Sequence, residues 1–116
     1  MMVLVAGPYR SGTDDDPARM AANLERLESV TLALFDAGHL PVIGEWIALP
    51  LMRRAGSLAV GDEIYRRYAY PVAHRLLEQC QAVVRLAGAS KGADEDVRRA
   101  GELGIPVYTD VRELLG

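Results

Sequence analysis

Short apolar runs along the chain alternate with longer stretches in which apolar residues recur every three or four positions. The runs at 3–6 and 82–87 are almost continuously apolar, which is typical of strands covered on both faces of a parallel sheet. Two further strands are predicted at 39–43, where Pro41 indicates an edge strand or the beginning of a strand, and at 104–108. Strands that alternate with helices predict an α/β fold: a doubly wound (flavodoxin-like) three-layer sandwich with a mostly parallel sheet of four to five strands.

The stretches between these runs carry helix signals. Asp16 and Pro17 are a typical N-cap and first helical residue, and the apolar residues that follow predict one helix ending at Gly38. Another helix is predicted to begin after Asp62 and to break at Pro71, where a further helix starts.

Two segments complete the predicted outline. A helix that ends at Gly104 precedes the last strand, and Asp110 is the predicted cap of a closing helix at 111–115. The segment 44–61 is the least regular, with apolar residues around Pro50 and a short helix that ends at 53–56. Such a segment is typical of a lid or a subunit contact, and its exposed apolar residues predict a homodimer.

Composition narrows the class of protein. The 116 residues predict one domain, residues 1–116, and 50% hydrophobic with 25% charged residues is an ordinary soluble balance. A net charge of −3 gives no general attraction for nucleic acid or an anionic membrane, so neither is a predicted partner. The single Cys80 predicts a reducing, cytoplasmic location, and the first residues lack the basic region of a signal peptide. No metal or cofactor is predicted, because His39, His74 and Cys80 have no companion ligands nearby in sequence.

The segment 90–96 lies between a predicted strand and a predicted helix. At such a helix start, unpaired N–H groups and the helix dipole attract anions. The sequence nevertheless places Asp94, Glu95 and Asp96 there. Either these acids only stabilise the helix dipole, or one of them faces a ligand as a reactive group while the turn holds the ligand's phosphate.

The loop 7–13 follows the first predicted strand. Its Gly-x4-Gly spacing is that of a P-loop, but Thr13-Asp14 stands where Lys-Ser/Thr is required, which excludes that motif. Its glycines allow a close approach of the backbone to a ligand, and Arg10 and Ser11 can donate to one phosphate.

Together these two segments resemble the nucleoside 2-deoxyribosyltransferase superfamily, and the small deoxynucleoside 5′-monophosphate N-glycosidases in particular. The first motif is Leu-Val-Ala-Gly-Pro-Tyr-Arg at 4–10, which is similar to the family's opening strand and phosphate loop. The second is Ser90-x-Gly92-Ala-x-x-Asp96, followed by Leu-Gly-Ile-Pro-Val at 103–107. The resemblance implies that Ser90 contacts phosphate and that Asp96 is the nucleophile. It also implies a pocket whose binding residues are Gly7, Pro8, Tyr9, Arg10, Ser11, Glu45, Trp46, Ser90 and Gly92, with Tyr9 and Trp46 as walls for sugar and base.

The chemistry of the family explains the need for an acid. A carboxylate attacks C1′ through an oxocarbenium-like state, and water or another base resolves the glycosyl ester. A helix N-terminus favours the ionised nucleophile that this reaction needs. The family normally has Glu where this chain has Asp96, so Glu95 is an alternative nucleophile after a small change of helix phase.

A second departure concerns the helix before the central strand. The family has an Asp there that orients the sugar or protonates the leaving base, and Val72 occupies its place by counting. The residues that could substitute are His74, Asp62, Glu63 and Glu45. The sequence therefore predicts a protein that cleaves or exchanges the base of a nucleoside 5′-monophosphate, or, alternatively, a catalytically impaired nucleotide-binding module. A flavodoxin-like electron carrier shares the architecture only.

Arg85 is unusual in a central parallel strand, because a buried arginine needs a counter-charge. A carboxylate from across a subunit interface would explain it.

Overall fold

The computed structural model describes residues 1–116 and contains one four-stranded, entirely parallel sheet. The strands lie in the order β2-β1-β3-β4. Within this sheet Leu4 of β1 is paired with Val42 of β2 and with Val83 of β3. The predicted α/β, flavodoxin-like architecture is confirmed. The strands are β1 (Met2–Ala6), β2 (Leu40–Val42), β3 (Ala82–Arg85) and β4 (Val107–Tyr108).

The helices cover both faces of the sheet. They are α1 (Pro17–Glu28), α2 (Thr31–Asp36), α3 (Gly44–Arg54), α4 (Glu63–Gln79) and α5 (Lys91–Leu103), followed by a 3₁₀ turn at Val111–Leu114. The Asp16, Asp62 and Asp110 side chains accept backbone N–H bonds at the starts of α1, α4 and the 3₁₀ turn, as predicted. No helix has the length and hydropathy that a membrane-spanning segment requires.

The prediction of a single helix up to Gly38 is wrong, because the helical conformation is interrupted between α1 and α2. The Ser29 hydroxyl donates to the carbonyl of Arg26 at 2.6 Å, and the Thr31 hydroxyl donates to that of Glu28 at 2.7 Å. Such side chains compete with the helical backbone for its carbonyls, and the β-branched Val30 between them adds to the effect.

The break predicted at Pro71 is also wrong, because α4 continues through it. A proline inside a helix removes one backbone hydrogen bond, here the one that the carbonyl of Arg67 would accept. Both residues are exposed, so solvent can satisfy that carbonyl. Packing of α4 against α3 and the sheet then outweighs the local preference for a break.

Alternating side chains of β1 form the centres of two cores. Val3 and Val5 pack with Leu27 and Leu34 on one face, whereas Leu4 packs on the other face with side chains of α4 and α5. A strand buried on both faces lies in the middle of the sheet, with β2 on one side and β3 on the other. The loops that follow β1, β2 and β3 therefore meet at one edge, at the point where the strand order reverses, where open α/β sheets bind ligands.

Arg85 ends β3, and its counter-charge comes from its own chain. Its guanidinium donates to the carboxylate of Asp94 at 3.0 Å and to the carbonyls of Gly88 and Leu86. An arginine that is only 14% exposed is thus satisfied without a second subunit.

Candidate functional site

A cavity of about 650 Å³ opens at the carboxyl edge of the sheet. Its walls come from the loop after β1, the start of α3, one face of α4 and the start of α5. Arg10 and Asp96 lie in different sequence motifs, and both line this cavity. Of the residues singled out from the sequence, the cavity contains Gly7, Tyr9, Arg10, Ser11, Glu45, Ser90, Gly92 and Asp96.

The start of α5 is fixed by Ser90. This buried residue is the N-cap, and its hydroxyl oxygen accepts the N–H of Ala93 at 3.1 Å. The helix continues to Gly104, whose left-handed conformation ends it as predicted. The cap sets the helix phase, and with this phase Asp96 rather than Glu95 faces the cavity.

Asp96 is a desolvated acid. Its Oδ1 is buried and has no hydrogen-bond partner. Burial, and then the negative charges of Glu45 and Glu95, raise the pKa of Asp96 to about 7, against the opposing effect of Arg85. Asp96 is the sixth residue of α5 and lies beyond the first turn. The helix dipole therefore does not stabilise its ionised form, contrary to the expectation from the sequence.

Glu45 is the second acid in the interior of the cavity. It lies in the first turn of α3, directly after β2, and burial raises the pKa of its carboxyl group. Glu45 lies on the helix after β2 and Asp96 on the helix after β3, so the two acids reach the cavity from opposite sides of β1. The negative charge of Glu45 is one of the causes that raise the pKa of Asp96, so the two acids are coupled across the cavity.

Three tyrosines line the cavity, and the charge of Glu45 acts on two of them, Tyr9 and Tyr65. Burial, followed by the charge of Glu45, raises the pKa of Tyr9, and the same two effects lead those that raise the pKa of Tyr65 to about 12. Both phenols therefore keep their protons and can donate to a ligand. The Tyr9 carbonyl accepts from the Asn23 amide at 2.8 Å, which fixes the loop after β1 against α1.

The α4 wall was not predicted from the sequence. Tyr65, Ala69 and Ala73 line the cavity at a spacing of four residues, so one helical face presents a hydroxyl and then two small side chains. That spacing is visible in the sequence, and it is the signal that could have identified this face. Val72, the position counted for the family's Asp, is instead buried beside this face.

Three of the predicted catalytic and binding residues do not line the cavity. Glu95 forms an ion pair with Arg98 on the outer side of α5. Trp46 is 41% exposed, and its indole N–H donates to Glu28 at 2.7 Å. Pro8 is buried and packs against Gly88, so it shapes the loop without reaching the cavity.

Only one of the four candidate substitutes for the family's Asp reaches the cavity, and it is Glu45. Asp62 is used as the cap of α4, where backbone N–H groups, first that of Tyr65, and the Ser57 hydroxyl lower its pKa to about 2. Glu63 is exposed, and His74 lies in a neighbouring shallow groove with Glu95.

Comparison with known proteins defines the class of fold. The sequence matches no protein-family model, and no curated protein is significantly similar to it in sequence. A solved structure is similar: a 2-deoxyribosyltransferase from the psychrotolerant bacterium Bacillus psychrosaccharolyticus, with a TM-score of 0.57 and 16% sequence identity. The likeness covers 92% of this chain and 69% of that one. The chain therefore has a nucleoside 2-deoxyribosyltransferase-like fold, as the two motifs predicted.

Proposed function

We propose that this protein cleaves or exchanges the base of a nucleoside 5′-monophosphate, with Asp96 as the nucleophile. The observation that carries the proposal is the buried, unpartnered carboxylate oxygen of Asp96 in the wall of the cavity. A buried acceptor without a partner costs free energy unless a ligand uses it. The fold shared with a 2-deoxyribosyltransferase supports the same reaction class.

The two acids divide the work in this mechanism. The ionised Asp96 attacks C1′ of the sugar, the glycosidic bond breaks, and its electron pair leaves with the base. Glu45, whose pKa burial raises, donates a proton to the departing base. Water or a second base then attacks C1′ of the glycosyl ester. In the hydrolytic case Glu45 accepts the proton of that water, and Asp96 is released as a carboxylate.

The protonation states limit the working pH. Only the ionised form of Asp96 attacks, and its pKa of about 7 means that this form becomes dominant above neutral pH. The proton of Glu45 is also needed, for the leaving base, and burial favours it by raising the pKa of that carboxyl group. Base release is therefore expected to rise with pH through about 7, as Asp96 ionises.

The test is a panel of ribo- and deoxynucleosides and their 5′-monophosphates, with released base measured by chromatography. A second panel adds a free acceptor base, which separates exchange from hydrolysis. Base release from a monophosphate is the expected result. Binding of a monophosphate without release from any substrate would favour the alternative, a nucleotide-binding module. The observation that supports this alternative is Val72, which stands where the family has an Asp.

A homodimer is the second part of the proposal. Trp46, Ile47 and Leu51 are each more than 40% exposed on the outer face of α3, which leaves an apolar surface on a small protein. Sedimentation equilibrium is expected to give twice the mass of the chain. A monomer at concentrations of tens of micromolar would contradict it.

A further inference from the structure

Three basic side chains line the cavity, and they differ in whether an acidic side chain of the protein already pairs with them. Arg10, Arg66 and Lys91 come from the loop after β1, from α4 and from the start of α5. An anionic group of a ligand binds best where a positive charge has no internal partner, because no existing ion pair must be broken first.

Arg10 is already occupied. Its Nε and Nη2 donate to the two carboxylate oxygens of Asp15, at 2.6 and 3.1 Å. The same guanidinium lies flat against Gly61, where an added Cβ would be only 2.3 Å from the Arg10 Cζ. Arg10 therefore joins the loop after β1 to the turn before α4, and two of its three nitrogens are used in doing so.

Arg66 and Lys91 have no such partner. Neither side chain takes part in any ion pair, although nine are formed elsewhere in the protein. Lys91 is the only lysine of the chain and the first residue of α5. The backbone N–H groups of Lys91 and Gly92 are also without an acceptor, as expected in a first helical turn.

Lys91 and Asp96 come from different faces of α5. They are five residues apart, which corresponds to about 7.5 Å along the helix axis and about 140° around it. Lys91 also lines the shallow groove that contains Glu95, so it lies at the rim where the two openings meet. Because Lys91 and Asp96 line the same cavity, a phosphate held at Lys91 leaves the sugar in the cavity that contains Asp96.

The geometry points to Arg66 and Lys91 as the ligands of the substrate's 5′-phosphate, with Arg10 as a structural clamp between Asp15 and Gly61. This inference rests on the proposed nucleotide substrate. It transfers phosphate recognition from Arg10 of the first motif to Arg66, which lies outside both motifs, and to Lys91, the variable position between Ser90 and Gly92 of the second motif. Ser11 and Ser90 remain within the cavity as neutral donors.

The test compares the affinities of a deoxynucleoside and its 5′-monophosphate, measured by calorimetry in an Asp96→Asn background that prevents turnover. Arg66→Gln and Lys91→Gln are each expected to weaken the binding of the monophosphate about tenfold. Each is expected to change the affinity for the nucleoside less than twofold. Arg67→Gln, an exposed neighbour outside the cavity, is the matched control and is expected to change neither affinity.

Arg10→Gln separates the clamp from a phosphate ligand. If Arg10 is a clamp, its loss weakens the binding of the nucleoside and of the monophosphate by the same factor. It also lowers the melting temperature. Loss of monophosphate affinity alone in Arg10→Gln, with Arg66→Gln and Lys91→Gln unchanged, would overturn the inference while leaving the proposed function in place. If neither ligand binds the unsubstituted protein or the Asp96→Asn variant, both proposals are overturned. Charge-dependent monophosphate binding without base release from the unsubstituted protein would uphold this subsite and contradict only the glycosyl chemistry.

Discussion

Glu95 and Asp96 are adjacent acids on the same helix, and their surroundings are opposite. Glu95 is on the outer side of α5, where a hydrogen bond and ion pair with Arg98 lower its pKa. Asp96 faces the cavity, where burial and the charge of Glu45 raise its pKa to about 7. A rotation of about 100° around one helix axis therefore separates an ordinary surface carboxylate from one that titrates near neutral pH.

The difference shows what makes a carboxylate available for chemistry. A surface acid with a matched arginine has its charge balanced and its oxygens used. An acid without a hydrogen-bond partner, held among other acids, exchanges its proton in the pH range of the cell and has a free oxygen.

The largest expected difference between the two acids is in activity. We expect Asp96→Asn to reduce base release at least ~1,000-fold, because the amide cannot form the glycosyl ester, and to leave ligand binding nearly intact. Glu95→Gln is the matched control, with a change of less than about threefold. Single-turnover chromatography measures both. Activity that survives in Asp96→Asn and disappears in Glu95→Gln would reverse the assignment.

The next effect is on stability. Because the folded-state pKa of Asp96 is raised, its contribution is fully present below the unfolded value of about 3.9 and is lost as the pH rises through about 7. The Asp96→Asn variant does not lose this stability, because its amide does not ionise. The difference in unfolding free energy between the variant and the unsubstituted protein is therefore expected to shift in favour of the variant by ~2–4 kcal/mol as the pH rises from 4 to 8. Urea denaturation followed by circular dichroism measures this, and a difference independent of pH would show that Asp96 is not desolvated.

Glu45→Gln tests the coupling between the acids. Loss of the Glu45 charge is expected to lower the pKa of Asp96, seen in carboxyl carbon NMR titrations. Loss of its proton is expected to reduce base release ~10–100-fold. Glu63→Gln, an exposed acid at the start of α4, should change neither quantity. An unchanged titration of Asp96 in Glu45→Gln would mean that the two acids do not interact.

The smallest effect belongs to the surface partner. Arg98→Gln should let the pKa of Glu95 rise towards its ordinary value, because the arginine is the main cause of its depression. Base release and melting temperature should stay close to those of the unsubstituted protein, since exposed ion pairs contribute little. A clear loss of activity in Arg98→Gln would mean that Glu95 is not a mere surface acid.

The sequence was sufficient for the fold because strand and helix signals are local. Continuous apolar runs marked β1 and β3, and Gly104 marked the end of α5. Errors arose where tertiary packing overrides local preference, as in α4, which runs through Pro71. The break at Ser29 has a local cause in the competing hydroxyl groups, but the regular apolar spacing concealed it.

The candidate site was predicted only in part. Residues attached to the two motifs, such as Tyr9 and Asp96, reach one cavity because both motifs follow adjacent strands. Lys91, Arg66 and Tyr65 were missed because their importance depends on which helical face meets the cavity. The partner of Arg85 was missed for the same reason, since no spacing rule links it to Asp94. The catalytic roles themselves stay predictions.

The two alanines on the cavity face of α4 also bear on how such a protein can change. Ala69 and Ala73 leave room along that wall, and neither is among the most buried residues of the core. An alanine codon differs from those of aspartate and glutamate by a single nucleotide. New acidic groups can therefore enter the cavity by a single nucleotide change, so the set of ionisable groups along this wall is open to selection.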